Sequence, residues 1–120
     1  MPGNEFTAKL FKALMHPARL EILDILRDGE ECVCHLETML GYRQAYISQQ
    51  LMVLREAGLV ADRRDGWNMF YRVTDTQVYA LIDAARRMTG DTRTAIRRMP
   101  AKVAPCPCPR CNPAVAGAAG

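Results

Sequence analysis

Apolar positions recur at helical spacing through the first half of the chain. Phe6, Leu10 and Leu14 fall four apart and predict a first amphipathic helix. His16-Pro17 opens a second, with proline in the first turn, where its missing N–H is not needed, and Gly29 closes it. Ile22, Leu23, Ile25 and Leu26 give that segment its apolar face. Glu31 to Leu40 reads as a short third helix ended by Gly41. Arg43 to Ala57 reads as a fourth, carrying the stripe Ile47, Leu51, Leu54 and stopped by Gly58.

Beyond Gly58 the period changes. Leu59–Arg64 and Trp67–Val73 are rich in β-formers and flank Asp65-Gly66, a two-residue hairpin signal. A last long helix is predicted from about Thr76 to Ile96, with Val78, Leu81, Ile82, Ala85 and Met88 at helical spacing. Four helices, a hairpin and a final helix make a mainly α fold with a β wing (α+β): a winged helix-turn-helix.

Helices three and four are joined by Gly41-Tyr42, a short glycine-containing turn. In such a motif the second helix enters the DNA major groove with its N-terminal residues on base edges. With Ile47, Leu51 and Leu54 facing the core, Ala45 and Gln49 lie opposite them, and Tyr46 and Ser48 lie on the flanks. Short and amide-bearing side chains suit base edges. Arg43 at the helix start suits a phosphate or a guanine, and Arg63 and Arg64 beside the hairpin tip suit the DNA backbone or minor groove. Trp67 and Tyr71 read as hairpin packing, and His16 as a helix-start residue.

The 120 residues bound the chain to one domain of modest core, which a dimer interface would help to stabilise. A net charge of +3 suits a nucleic-acid partner without demanding one. Met1–Glu5 holds no apolar run of signal-peptide kind and no stretch approaches membrane-spanning length. The expectation is a cytoplasmic protein with no membrane partner, whose thiols stay reduced. Five cysteines in that setting point to metal or redox chemistry before structural disulfides. Cys32 and Cys34 precede the helix-turn-helix. Cys106, Cys108 and Cys111 lie in a tail with Pro100, Pro105, Pro107, Pro109 and Pro113, a density that favours extended chain. The organisation expected is a DNA-binding and dimerisation domain over 1–98 and a Pro/Cys-rich tail over 99–120.

The chain resembles the ArsR/SmtB family of metalloid- and metal-responsive repressors over about residues 5–90. The likeness is carried by Phe11-Lys12-Ala13-Leu14, His16-Pro17-Ala18-Arg19-Leu20 and Glu31-Cys32-Val33-Cys34. It continues through Gln44, Ile47-Ser48-Gln49-Gln50-Leu51 and Leu54-Arg55-Glu56-Ala57-Gly58-Leu59-Val60. The resemblance implies a homodimer built through the first and last helices. It also implies an inverted-repeat operator on double-stranded DNA, read by the fourth helix with Gln44 among its contacts and released when an inducer ion binds. Arg43 stands where the family usually has a small N-cap serine, and Tyr46 replaces a small residue. Glu37 occupies the position of the arsenic-sensing branch's third thiol.

As(III) and Sb(III) want three thiolates, and Cd(II), Pb(II) and Zn(II) also take them. Cys32 and Cys34 supply two. Cys106, Cys108 and Cys111 either complete that site, hold a separate three-thiolate site, or belong to an appendage that binds ions adventitiously. Side chains two apart on a helix project ~200° apart, so ion binding is expected to reshape the first turn of helix three and misplace the reading helix. His35 beside Cys34 has a surface or supporting role in this reading. A disulfide or persulfide of the same thiols is the alternative signal. An enzyme is not expected: there is no glycine-rich phosphate loop and no carboxylate pair, and Cys108-Pro-Arg-Cys111 lacks a βαβ context. A metal-buffering protein would need only the tail.

Overall fold

A computed structural model describes residues 2–90. Its elements run α1 (Pro2–Leu14), α2 (Pro17–Ile25) continued by a 3₁₀ turn at Leu26–Asp28, β1 (Glu31–Cys32), α3 (Val33–Leu40), α4 (Gln44–Glu56), β2 (Val60–Asp65), β3 (Asn68–Val73) and α5 (Gln77–Thr89). The helices and the hairpin match the winged helix-turn-helix expected from the periodicity. The tail cysteines Cys106, Cys108 and Cys111, the boundary near residue 98 and the stretch 91–96 lie outside the described residues.

Local chemistry sets the helix starts. His16 caps α2 with Nδ1 accepting the Ala18 N–H at 3.2 Å, followed by Pro17 in the first turn. Asp75 Oδ1 accepts the Gln77 N–H at 2.9 Å ahead of α5. That helix closes at Thr89: Gly90 takes a left-handed conformation (φ 74°) as its C-cap, a geometry that glycine adopts without strain.

The sheet corrects two expectations. It has three antiparallel strands in the order β1-β3-β2, because Glu31 and Cys32 leave the helix and pair with Tyr71 and Phe70. Helix α3 therefore begins at Val33, two residues later than its apolar spacing suggests. The hairpin turn is also shifted: Asp65 pairs with Asn68, so the two turn residues are Gly66-Trp67. Gly66 supplies the positive φ (62°) that a two-residue turn of this kind needs at its first position.

One core joins all five helices and the hairpin, with Leu14, Ile22, Leu23, Leu36, Ile47, Leu51, Leu54, Val60, Val78 and Ile82 buried together. Helix α5 is moored to α2 by polar contacts as well. Buried Asp24 accepts both Arg86 Nη1 and Nη2, at 3.1 and 2.7 Å, and Tyr79 Oη donates to the Leu23 carbonyl at 2.5 Å. Fork-to-carboxylate bonding of this kind satisfies a buried charge that would otherwise be costly. Large apolar residues at the terminal helices are uncovered within the protomer: Phe6 and Phe11 on α1, Met15 just after it and Met88 on α5 are all exposed.

Candidate functional site

Helices α3 and α4 meet across Gly41, Tyr42 and Arg43, and Arg43 is the N-cap of α4 without a side-chain capping bond. The core stripe Ile47, Leu51, Leu54 is buried as the spacing predicts, together with Gln50. That leaves Gln44, Ala45, Ser48 and Gln49 exposed on the opposite face, with Arg43 exposed at its head. Tyr46 differs from its neighbours. It is half-buried, with its ring edge-on to Tyr42 at 5.1 Å and tilted against His16 at 6.4 Å. Tyr42 donates its hydroxyl to Glu21 Oε1 at 2.6 Å, which together with burial pushes its phenol up to about 12. The aromatic cluster thus braces the start of α4 against α2.

Two residues outside the expected set fix the pose of α4. Gln50 Oε1 accepts Arg19 Nε at 2.9 Å, and Arg19 Nη1 also reaches the carbonyls of Lys12 and Ala13, each at 3.3 Å. Arg19 therefore ties the end of α1 to α4. At the far end of α4, Arg55 pairs with Asp62 on β2 at 3.3 Å.

The hairpin holds Arg63 and Arg64 differently. Arg64 is exposed and has no ion pair among the described residues. Arg63 donates Nε and Nη2 to the two carboxylate oxygens of Glu30, at 3.0 and 2.7 Å, and lies over the Phe70 ring at 4.7 Å. Trp67 does not pack on the hairpin as expected. It is 98% exposed at the tip, where a turn residue has no sheet face to lie on. Its place directly after Gly66 is the sequence signal that could have located it there. Tyr71 does pack against the core.

Cys32 is fully buried beside Phe70, while Cys34 is half-buried in the first turn of α3. The two are joined by a disulfide, with Cα atoms 5.3 Å apart. Cys32 has extended backbone (φ −84°, ψ 157°) and serves as the N-cap of α3, its sulfur accepting the His35 N–H at 3.2 Å. This overturns the expected geometry of two thiols splayed ~200° apart on one helix. Only Cys34 is helical, so the sulfurs converge without unwinding α3. The His35 ring turns toward Glu31, with Nε2 3.9 Å from Oε1. No group of three or more His, Cys, Asp or Glu side chains is placed to hold a metal ion among the described residues. Among the described residues Cys32 and Cys34 thus bring two sulfurs together and no third metal-ligating side chain.

Residues 16–62 match the model of the arsR family of bacterial regulatory proteins. A biofilm growth-associated repressor from Agrobacterium fabrum is 48% identical over 77 residues, covering 64% of this chain and 66% of that protein. A probable mercury resistance operon repressor from Streptomyces lividans is 37% identical over 94 residues, covering 75% and 72%. The solution structure of a homodimeric winged helix-turn-helix domain from Mycobacterium bovis superposes with a TM-score of 0.65 at 31% identity, covering 75% of this chain and 83% of that one.

Proposed function

The chain belongs to the arsR family of bacterial regulatory proteins, and on that footing we propose a thiol-responsive transcriptional repressor, homodimeric and cytoplasmic, that grips an inverted-repeat operator. It lets the operator go when cysteine thiolates take up a thiophilic ion, As(III) or Sb(III) first and Cd(II), Pb(II) or Zn(II) after them. The observation that carries the reading is the convergence of Cys32 and Cys34 where the wing sheet meets the helix leading to α4.

The DNA side rests on the exposed face of α4. Arg43, Gln44, Ala45, Ser48 and Gln49 offer donors, acceptors and close approach to base edges, and Tyr46 frames them. Arg64 supplies charge for the backbone from the wing. The uncovered Phe6, Phe11, Met15 and Met88 motivate a dimer through α1 and α5, since large apolar side chains left in water gain from a partner surface. The homodimeric neighbour agrees with this. A dimer presents two reading helices and so calls for two half-sites.

On the sensing side, the opened pair offers two soft donors that suit a thiophilic centre, and Cys106, Cys108 and Cys111 are the remaining thiols of the chain. The Streptomyces relative's name refers to mercury resistance, which supports a soft ion as the signal. The disulfide between Cys32 and Cys34 favours one second reading, in which the same pair answers an oxidant.

A competition series tests the assignment. Reduced protein on operator DNA is titrated with As(III), Sb(III), Cd(II), Pb(II) and Zn(II), and then with peroxide. Release by the trivalent metalloids at the lowest concentration supports the first reading. Release by peroxide alone replaces it with the second.

A further inference from the structure

Arg63 is tied both to the residue just before the strand that carries the buried thiol and to that strand's neighbour in the sheet. Across the sheet, Cys32 lies opposite Phe70 and Phe70 lies opposite Arg63. The guanidinium rests over the Phe70 ring at 4.7 Å, and its Nε/Nη2 edge is bidentate on Glu30, the residue just before β1. A guanidinium edge that grips a carboxylate through two parallel bonds cannot offer the same fork to a DNA phosphate. Glu30 and the operator backbone therefore compete for one side chain.

The position of Glu30 depends on β1, which is only two residues long and makes two pairings with β3. The link from Cys32 to Cys34 fastens that short strand to the first turn of α3, itself anchored in the core by Val33 and Leu36. Opening the link removes the fastening and leaves the ladder and the cap.

We propose that bridging Cys32 to Cys34 withdraws a phosphate contact from the wing by holding Arg63 on Glu30, which makes Glu30 the positioning residue of the response. The inference rests on the thiol-responsive reading above and supplies its route to DNA. With a peroxide as oxidant, the more accessible Cys34 thiolate attacks the peroxide oxygen and water leaves, giving a sulfenic acid. The Cys32 sulfur then displaces hydroxide to close the S–S bond. Two electrons pass to the peroxide, and the two thiol protons leave in two waters. An arsenical that ties the same sulfurs together fastens β1 in the same way.

The test uses the full chain and a duplex selected from random sequence by the reduced protein. Affinity is measured across a salt series for the phosphine-reduced and the peroxide-oxidised forms, with phenylarsine oxide as a second bridging arm. For wild type, bridging is expected to lower affinity about tenfold or more. It is also expected to make the log–log salt slope shallower by ~0.9 for each protomer, one phosphate contact each. Glu30→Gln leaves Arg63 available in both states, so its bridged form should bind within about threefold of its reduced form and keep the steeper slope. Arg63→Lys keeps the charge but loses the fork, and its slope should likewise be independent of state. If either variant retains the wild-type change in slope, the route through Glu30 is overturned while thiol sensing stands. If bridging leaves wild-type affinity unchanged in both arms, thiol sensing fails and the route fails with it.

Discussion

Arg19 and Gln50, 31 positions apart, share a hydrogen bond of 2.9 Å that locks the reading helix to the end of α1. Gln50 is buried, so its amide is a structural anchor, unlike that of its exposed neighbour Gln49. A hydrogen bond to a charged group is worth ~1.5–3 kcal/mol. Gln50→Ala should therefore lower unfolding stability by about that amount in urea titrations, and weaken all operators alike without changing base preference.

Gln49→Ala should behave in the opposite way. Stability should change little, and discrimination should relax by ~1–3 kcal/mol at one base position. Arg64→Ala should weaken binding to all sequences and reduce the salt slope by ~1. Binding measured on a panel of single-base operator variants separates the two. Equal, uniform losses for both substitutions would contradict the placement of α4 in the groove.

Trp67 is the chain's one tryptophan and is almost fully exposed at the wing tip. Its emission should be that of a solvated indole in the free protein and should change on operator addition. Trp67→Ala should alter stability by less than ~0.5 kcal/mol, as befits a surface site. A blue-shifted emission in free protein would show that the tip is covered.

The Tyr42–Glu21 bond gives a pH dependence with a definite sign. The hydroxyl is held protonated beside a carboxylate, so its folded value of about 12 lies above the ordinary phenol value near ~10. Its contribution is complete below ~10 and is lost as pH rises through the folded value. Wild type should exceed Tyr42→Phe in stability by about 1 kcal/mol at neutral pH. The gap should close in alkaline titration over that window, whereas a constant gap would remove Tyr42 from the account.

Much of this architecture was legible in the sequence because it is local. The spacing of Ile47, Leu51 and Leu54 fixes which face of α4 is buried, and Pro17 after His16 marks the start of α2. The departures come from non-local pairing. Nothing near Cys32 reveals that it meets Phe70, 38 positions later, and so leaves the helix for a strand. The grip of Glu30 on Arg63 and of Arg19 on Gln50 depends equally on contacts that only the fold creates. Gly90 was readable as a helix stop, but the helical spacing that runs up to Met88 gives no sign of where the helix ends.

The gating role of the thiol pair is tested most directly by arsenite release from operator DNA, measured on reduced full-length wild type, Cys34→Ser and a chain truncated after Met99. Cys34 is half-buried in the first turn of α3 and away from the reading face, so the serine variant should bind operator normally. It should fail to release at any arsenite concentration that frees wild type. The truncated chain should bind normally and need about tenfold more arsenite, or ~1.4 kcal/mol of lost ion affinity. A Cys34→Ser protein that releases as wild type does, while the truncated chain does not, would move sensing to the tail cysteines and contradict the account.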